Sequence, residues 1–249
     1  MTLEHYHLLA DVFEYPDRGF PEKVRRVVDA LTPDYPQAAQ ELEAFLQKLP
    51  AQDVNQMDEL YTRSFDVQAI VTLDIGYVLF GEDYKRGELL ANLNKEHVKA
   101  GIDCRHELAD HLPNVLRLVA KLDDEELRHD LIEEILAPAL WSMIREFEPD
   151  RLELKKEMYQ KHYKTLIESL TGISAIYSHA LKALRIVLSQ DFKINFGNKY
   201  QTKCDLLKSL STELAINDTA ADFSKSSELS RPSVSRPELS KGQDSMRCT

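Results

Sequence analysis

The sequence predicts an all-α protein: a single helical-bundle domain followed by a C-terminal tail. Apolar residues recur every three or four positions along most of the chain, as at Val24, Val27 and Leu31, which is the spacing of one helix face. Glycine and proline, with 8 and 10 residues, make up about 7% of the chain, against about 12% in average proteins. No Asn-Gly or Asp-Gly pair separates alternating segments, so β-hairpins are not indicated.

Proline and capping residues divide the first part of this pattern into helices. Residues 15–17 (Tyr-Pro-Asp) and 32–36 are expected to end the first two helices, because the residue before a proline avoids helical dihedral angles. Asp53 and Gln56 have the spacing of a capping box, so another helix is expected to begin there.

Further helix boundaries follow between residues 81 and 138. Gly81 and Gly101 are expected to terminate helices, and Pro113 suits the first turn of one, where its missing N–H costs nothing. The acidic run 123–126 places negative charge at the start of the next helix. Pro138 interrupts an apolar pattern and should kink its helix.

A domain boundary is expected near residue 216. Residues 1–216 carry the helical pattern, whereas residues 217–249 are rich in serine, proline and charge. Such a composition cannot bury enough apolar area to offset the entropy of ordering, so we predict a disordered tail. A leucine-rich stretch at 206–214 is expected either to dock on the domain or to lie free.

Charge and cysteine content restrict the partners and the compartment. The formal net charge is −11, which disfavours nucleic acid and anionic lipid and attracts cationic partners. No run of 18 apolar residues and no secretory signal is present. The 3 widely spaced cysteines do not indicate a disulfide framework. We therefore expect a cytoplasmic protein without a nucleic-acid partner or stable membrane insertion.

Aromatic residues form the first candidate site. Tyr61 and Phe65 are four positions apart and share one helix face, with Asp66 directly after them. Tyr77 and Phe80 lie one helix later. Two interpretations stay open, which are a buried core seam and the floor of a groove for an incoming apolar helix.

An acidic loop forms the second candidate site. Glu107, Asp110 and His111 come directly before Leu112 and Pro113. The acids either cap the helix that follows or hold a partner's arginine between their carboxylates through charge-assisted bonds. In the second case the two carboxylates would supply negative potential at the rim of the groove.

The segment from Gly81 to Gly87 is predicted to be a tight turn between helices, with Gly87 permitting close helix approach. Lys85 and Arg86 are expected to pair with nearby acids. The segment lacks the Gly-Lys-Ser/Thr of a phosphate-binding loop.

Catalytic and metal-binding signals are weak. Cys104, His106, Asp110 and His111 match no common zinc spacing, so we expect no metal centre and no cofactor. No nucleophile elbow or dinucleotide fingerprint appears, which favours a protein that is not an enzyme. Two alternatives stay open, which are a metal-dependent hydrolase that uses those four residues and a helical adaptor that acts through its tail.

Four motifs occur in order along residues 5–145, most specifically between 58 and 120. They are Phe13-Glu14-Tyr15-Pro16, Tyr61-x-x-x-Phe65-Asp66, Leu79-Phe80-Gly81-Glu82-Asp83-x-x-Arg86-Gly87 and Glu107-Leu108-x-Asp110-His111-Leu112-Pro113. Together they resemble the nitrate reductase delta-subunit (NarJ) type of molybdoenzyme assembly chaperone, within the TorD-like redox-enzyme maturation proteins. Ala109 stands where that family usually has a proline, and the charged segment 146–165 and the tail depart from its pattern.

The resemblance implies a cytoplasmic, all-helical, non-enzymatic chaperone. Such proteins bind a basic and apolar N-terminal peptide on the catalytic subunit of a molybdopterin oxidoreductase until its cofactors are inserted. The oligomeric state stays open, a homodimer included. The resemblance maps the family's acidic loop onto Glu107, Asp110 and His111 and its aromatic helix onto Tyr61 and Phe65. The full set of peptide-binding residues that we predict is Tyr61, Phe65, Asp66, Tyr77, Phe80, Arg86, Glu107, Asp110, His111, Leu112 and Pro113.

Overall fold

A computed structural model describes residues 3–163 and 174–196, with side chains except at 159–163 and 174. The chain divides into two units, Met1–Ser209 and Leu210–Thr249, and all of the described residues lie in the first. The predicted tail at 217–249 and the leucine-rich stretch at 206–214 therefore lie outside the described residues.

The fold class is all-α, as predicted, and the described residues contain no β-strand. The helices are α1 (His5–Asp11), α2 (Phe20–Leu31), α3 (Pro36–Lys48), α4 (Val54–Phe65), α5 (Ile75–Phe80), α6 (Tyr84–Lys99), α7 (Leu112–Lys121), α8 (Glu125–Asp130), α9 (Ala137–Glu146), α10 (Pro149–Tyr163) and α11 (Tyr177–Phe192). A π-helical segment (Leu131–Leu136) joins α8 to α9, and a 3₁₀ turn (Ser174–Ile176) precedes α11. None of the described helices combines the length and the apolarity that a bilayer span requires.

The core forms where the apolar helix faces meet. Helix α11 packs on α3 and α9, α1 packs on α7, and α2 packs on α3. In α2 the buried positions Phe20, Val24, Val27 and Leu31 recur at helical spacing, so burial of one stripe orients the helix. Tyr6 and Tyr177 are among the largest fully buried side chains.

The first helix boundaries follow the sequence in part. Helix α2 ends at Leu31, as predicted, but α1 ends at Asp11, before the predicted stop. Val12 and Phe13 continue in short turns, with Phe13 N–H donating to Ala10 O at 3.0 Å. Both side chains are buried. Their helical spacing in the sequence therefore marked core positions correctly, although the helix itself ends before them.

Asp53 caps α4, as predicted. Its Oδ1 accepts from Asn55 N at 2.9 Å and from Gln56 N at 3.4 Å. The Gln56 side chain donates to Asp53 Oδ2 at 3.1 Å, where a capping box would have it bond the Asp53 backbone.

Later helix ends also match the predicted signals. Gly81 and Gly101 have φ values of 58° and 63° directly after α5 and near the end of α6, a left-handed region that glycine enters without a Cβ penalty. Pro113 lies in the first turn of α7. Asp124 caps α8 by accepting from Leu127 N at 3.0 Å.

At Pro138 the predicted irregularity takes the form of the π-helical segment that comes directly before it. The Ala137 N–H donates to Ile132 O, five residues back. Because Pro138 has no N–H to donate, the ladder cannot continue in the usual way at this point.

A buried carboxylate ties the first helix to the last described one. Asp191, on α11, accepts from His5 Nε2 at 2.8 Å, Tyr6 Oη at 3.0 Å and Tyr35 Oη at 2.6 Å. Burial alone would raise the pKa of Asp191, but the His5, Tyr35 and Tyr6 donors lower it overall. The cluster therefore stabilises the ionised carboxylate.

The charged segment that begins at Glu146 contains a second buried cluster. Lys155 Nζ lies 2.9 Å from Glu146 Oε2, and Arg151 Nη2 lies 2.6 Å from Glu146 Oε1. Lys155 also donates to the carbonyl of Ile70, between α4 and α5. Its burial lowers the Lys155 pKa, and the cluster anchors α10 to that loop.

Candidate functional site

The segment before α5 and the segment before α7 run antiparallel, and they form an isolated β-bridge between Asp74 and His111. The Ile75 N–H donates to Asp110 O at 3.0 Å, and the Leu112 N–H donates to Leu73 O at 2.9 Å. These two bonds bring the acidic loop, which is distant in sequence, against the start of α5.

An ion network forms at this junction, and we call it the Arg86 network: Asp74, Tyr77, Arg86, Asp110 and His111. Arg86 Nε donates to Asp110 Oδ2, and Arg86 Nη2 donates to Asp74 Oδ2, both at 3.0 Å. His111 Nδ1 lies 3.1 Å from Asp74 Oδ1. The guanidinium carbon of Arg86 lies 5.3 Å from the centroid of the Tyr77 ring, within cation–π range.

Burial sets the electrostatics of the two acids. The Asp110 side chain is 0% exposed, and burial raises its pKa although the bond to Arg86 opposes the rise. Burial would also raise the pKa of Asp74, but His111 and Arg86 together lower it. Arg86 therefore compensates a carboxylate that has lost its water, so removal of Arg86 would leave a buried charge without a partner.

A glycine on α5 makes this packing possible. A Cβ at Gly76 would lie 2.6 Å from Asp110 Oδ2 and 3.0 Å from Leu89 Cδ2. A Cβ at Gly87 would meet nothing within 4 Å. The prediction that Gly87 permits close helix approach is therefore wrong, because Gly76 is the glycine at the contact.

The other end of α6 is held by a histidine that the sequence analysis did not identify. His97 is 2% exposed, and its Nε2 lies 3.0 Å from Ala109 O, so Nε2 carries the proton in this contact. Burial lowers the His97 pKa. Asn114 Nδ2 adds a bond to Leu108 O at 3.1 Å. Arg86 and His97 thus attach both ends of α6 to the acidic loop.

The prediction that Asp110 lies at a solvent-facing rim and receives a partner's arginine is wrong. Its carboxylate is buried and already paired with Arg86 of the same chain, which confirms the prediction that Arg86 pairs with nearby acids. Glu107 is exposed, and its Oε2 lies 3.8 Å from His111 Nδ1. Leu112 is buried, so it offers no contact surface.

Pro113 is likewise buried in the first turn of α7. Pro113 therefore serves as a helix-starting residue and is not part of an exposed loop. The peptide-contact role predicted for Leu112 and Pro113 is therefore wrong, because both residues are buried.

Two of the aromatic candidates belong to the core. Tyr61 and Phe65 are 8% and 6% exposed, and their ring centroids lie 6.0 Å and 4.7 Å from that of Tyr177. Tyr61 Oη donates to Phe13 O at 3.2 Å, and burial raises the Tyr61 pKa. The core-seam interpretation is therefore correct for Tyr61 and Phe65. The alternative interpretation, that they form the floor of a peptide groove, is wrong for this pair.

The remaining aromatic and acidic candidates reach the surface to different degrees. Tyr77 and Phe80 are half-buried on α5, and Asp66 is exposed after α4. Tyr77 lies under Arg86, so its ring face is engaged within the Arg86 network.

The alternative metal site is not assembled. Cys104 is half-buried and His106 is exposed, while Asp110 is held by Arg86. Within residues 3–163 and 174–196, no three His, Cys, Asp or Glu side chains form a group that could hold a metal ion. Burial raises the Cys104 pKa, which disfavours the thiolate that metal binding requires.

An apolar groove lies between α6, α7 and the α8–π-helix segment, and we call it the α6–α8 groove. It encloses about 230 Å³. Its apolar lining residues are Leu89, Leu93, Leu118, Leu122, Leu127, Leu131 and Ile135. Its polar lining residues are Asn92, Glu96, Asp130 and Glu134. Three of these four are acidic, and Lys99 Nζ lies 2.6 Å from Glu96 Oε1, so the acidic rim of the groove is partly neutralised within the chain.

The Arg86 network and the groove share helix α6. Leu89 and Leu93 line the groove from α6, between the two attached positions Arg86 and His97. Leu89 is also a neighbour of Gly76. The motif residues therefore position one wall of the groove, and the groove itself is made by leucines that carried no motif.

The chain matches no known family model, and no curated protein is significantly similar to it.

Proposed function

We propose that this chain is a cytoplasmic chaperone for a molybdenum oxidoreductase of the nitrate reductase or nitrite oxidoreductase type. It binds the N-terminal leader, or its vestige, on the catalytic subunit and supports molybdopterin cofactor insertion and assembly before complex formation or export. It performs no chemistry itself. The observation that carries the proposal is the α6–α8 groove, with its leucine lining and its acidic rim.

The size of the groove favours a peptide over a small-molecule substrate. Sites for drug-sized ligands enclose about 300–1,000 Å³, whereas this groove encloses about 230 Å³. That volume suits one or two anchoring side chains of an amphipathic helix laid along α6. A few buried anchors together with rim ion pairs are sufficient for micromolar binding, which requires about 8 kcal/mol.

The charge of the groove favours a basic peptide. Glu96, Asp130 and Glu134 lie at its rim, and the chain has a formal net charge of −11. Lysine or arginine residues beside the apolar anchors would therefore meet complementary potential. Salt should weaken this contribution, because ion pairs at a rim are screened.

Isothermal titration of the full chain with a synthetic N-terminal peptide of the client catalytic subunit tests the proposal. The double variant Glu96→Gln with Asp130→Asn should bind several-fold more weakly at low ionic strength, and the difference should shrink as salt is added. A matched control is Asp29→Asn with Glu43→Gln, which removes two exposed carboxylates outside the groove.

Equal weakening in both double variants would show that only net charge matters, and no binding by the parent protein would refute the proposal. A chain without residues 217–249 should bind as tightly as the full chain. Loss of binding after that deletion would instead favour an adaptor that acts through its tail. In cells that lack this chain, the client oxidoreductase should be synthesised but lose most of its activity.

A further inference from the structure

Most of the half-buried arginines among the described residues have carboxylate partners. Five of the seven among the described residues have a carboxylate oxygen within 4.0 Å: Arg63, Arg86, Arg117, Arg128 and Arg151. Arg145 and Arg185 are the two that make no such pair within the part of the chain that the structure describes. A guanidinium that has lost part of its water without gaining a carboxylate is poised to bind an anion.

Both of these arginines line one cavity between α9 and α11. The cavity encloses about 450 Å³, and its lining residues are Trp141, Ile144, Arg145, Glu148 and Arg185. The guanidinium carbon of Arg145 lies 5.4 Å from the centroid of the Trp141 ring. This distance is within cation–π range, and a guanidinium in such a contact still has N–H groups that can donate to an anion.

We propose that this cavity is a binding site for a small phosphate-bearing ligand. Two guanidinium groups carry two positive charges, which match the dianion of a phosphate monoester better than the single charge of a carboxylate. The volume lies within the range of about 300–1,000 Å³ typical of small-molecule sites. The ligand binds through charge-assisted hydrogen bonds from Arg145 and Arg185, with Trp141 and Ile144 as the apolar wall.

Glu148 lines the same cavity and opposes anion binding. Its side chain is exposed, so its charge is partly screened by water. Removal of that charge should strengthen phosphate binding, whereas removal of an arginine should weaken it. This pair of opposite effects distinguishes a phosphate site from a cavity without a ligand.

Trp141 supplies the readout, because it is the only tryptophan of the chain. The full protein is titrated with inorganic phosphate and with a phosphate monoester such as glycerol phosphate, at constant ionic strength held with chloride. Tryptophan fluorescence and isothermal titration are followed together. Equal affinities for the two probes assign the site to phosphate itself, and tighter binding of the ester assigns it to a phosphorylated metabolite.

Three variants test whether this cavity binds phosphate. Arg185→Gln should weaken binding at least about tenfold, as expected for the loss of one charge-assisted contact. Glu148→Gln should tighten binding several-fold, and the exposed control Arg25→Gln should leave it unchanged. The proposal is overturned if the parent protein shows no saturable binding, or if Arg185→Gln and Glu148→Gln both bind as the parent does. Peptide binding in the α6–α8 groove should be the same in all of these variants, so the two proposals fail separately.

Discussion

Arg86 Nε lies 3.0 Å from Asp110 Oδ2, and this contact ties α6 to the segment that precedes α7. The carboxylate is fully buried. Because α6 also forms one wall of the α6–α8 groove, the pair connects the stability of the domain with the position of the surface that we propose binds the client peptide.

Removal of Arg86 should be costly because it leaves Asp110 buried without a cation. Arg86→Met is expected to lower the free energy of unfolding at neutral pH by about 3–5 kcal/mol, measured by urea denaturation. The pKa of Asp110 is already raised by burial, and it should rise further without Arg86. The folded variant then binds the proton more tightly than the unfolded chain, so its stability should fall as pH rises through the folded pKa. The double variant Arg86→Met with Asp110→Asn should recover part of the loss, and no recovery would contradict this explanation.

Gly76 on α5 and Gly87 on α6 provide a matched pair of helical glycines, of which only Gly76 lies at the α5–α6 contact. Gly76→Ala should lower stability by about 1–3 kcal/mol, because its Cβ would lie 2.6 Å from Asp110 Oδ2. Gly87→Ala, with open space around the new methyl group, should raise stability by about 0.4–1 kcal/mol, because alanine has the higher helix propensity. Thermal melts of the two variants measure the difference, and shifts of the same sign would contradict this assignment of the close approach.

The buried cluster on α10 should contribute far more than the surface pair beside it. Glu146→Gln leaves the buried Lys155 without its ionic partner, and we expect a loss of about 3 kcal/mol. Glu153→Gln removes an exposed pair with Lys156 and should change stability by less than about 0.5 kcal/mol. Equal losses in chemical denaturation would show that burial does not govern this cluster.

Acid should weaken the contact between α1 and α11 through Asp191. Its folded pKa is lowered by the His5, Tyr35 and Tyr6 donors in spite of burial. The stabilisation is therefore present above the unfolded value of about 3.9, and it is lost as pH falls through the lowered folded pKa. Asp191→Asn should lower stability at pH 7 by about 1–3 kcal/mol and flatten the acid limb of the stability curve. Asp29→Asn, at an exposed site, should leave that limb as in the parent protein.

Local signals in the sequence predicted much of the fold. These signals are helical periodicity, the Asp53 cap and the terminal glycines Gly81 and Gly101. Each depends only on residues close to it in the sequence, so it can be recognised without knowledge of the tertiary structure. Contacts between distant residues were missed. His97 and Gly76 carry no local signal, because their roles arise only when α5, α6 and the acidic loop meet.

At the candidate site, too, the sequence could not predict contacts between residues that are distant in the chain. The sequence analysis placed Arg86, Asp110 and His111 among the candidate peptide-binding residues, but it could not show that Asp110 is buried and paired within the chain. The groove is lined by ordinary leucines at helical spacing, which resemble core leucines until the packing of α6 is known.

Peptide binding by two leucine variants tests the central claim most directly. Leu127 lines the groove and is 37% exposed, whereas Leu108 lies on the acidic loop and is 48% exposed. Both positions should tolerate asparagine without an internal cavity, because neither is buried in the core. Isothermal titration with the client's N-terminal peptide should show binding weakened about tenfold or more by Leu127→Asn and nearly unchanged by Leu108→Asn. The opposite result, with binding lost only in Leu108→Asn, would place the docking surface on the acidic loop and contradict the account.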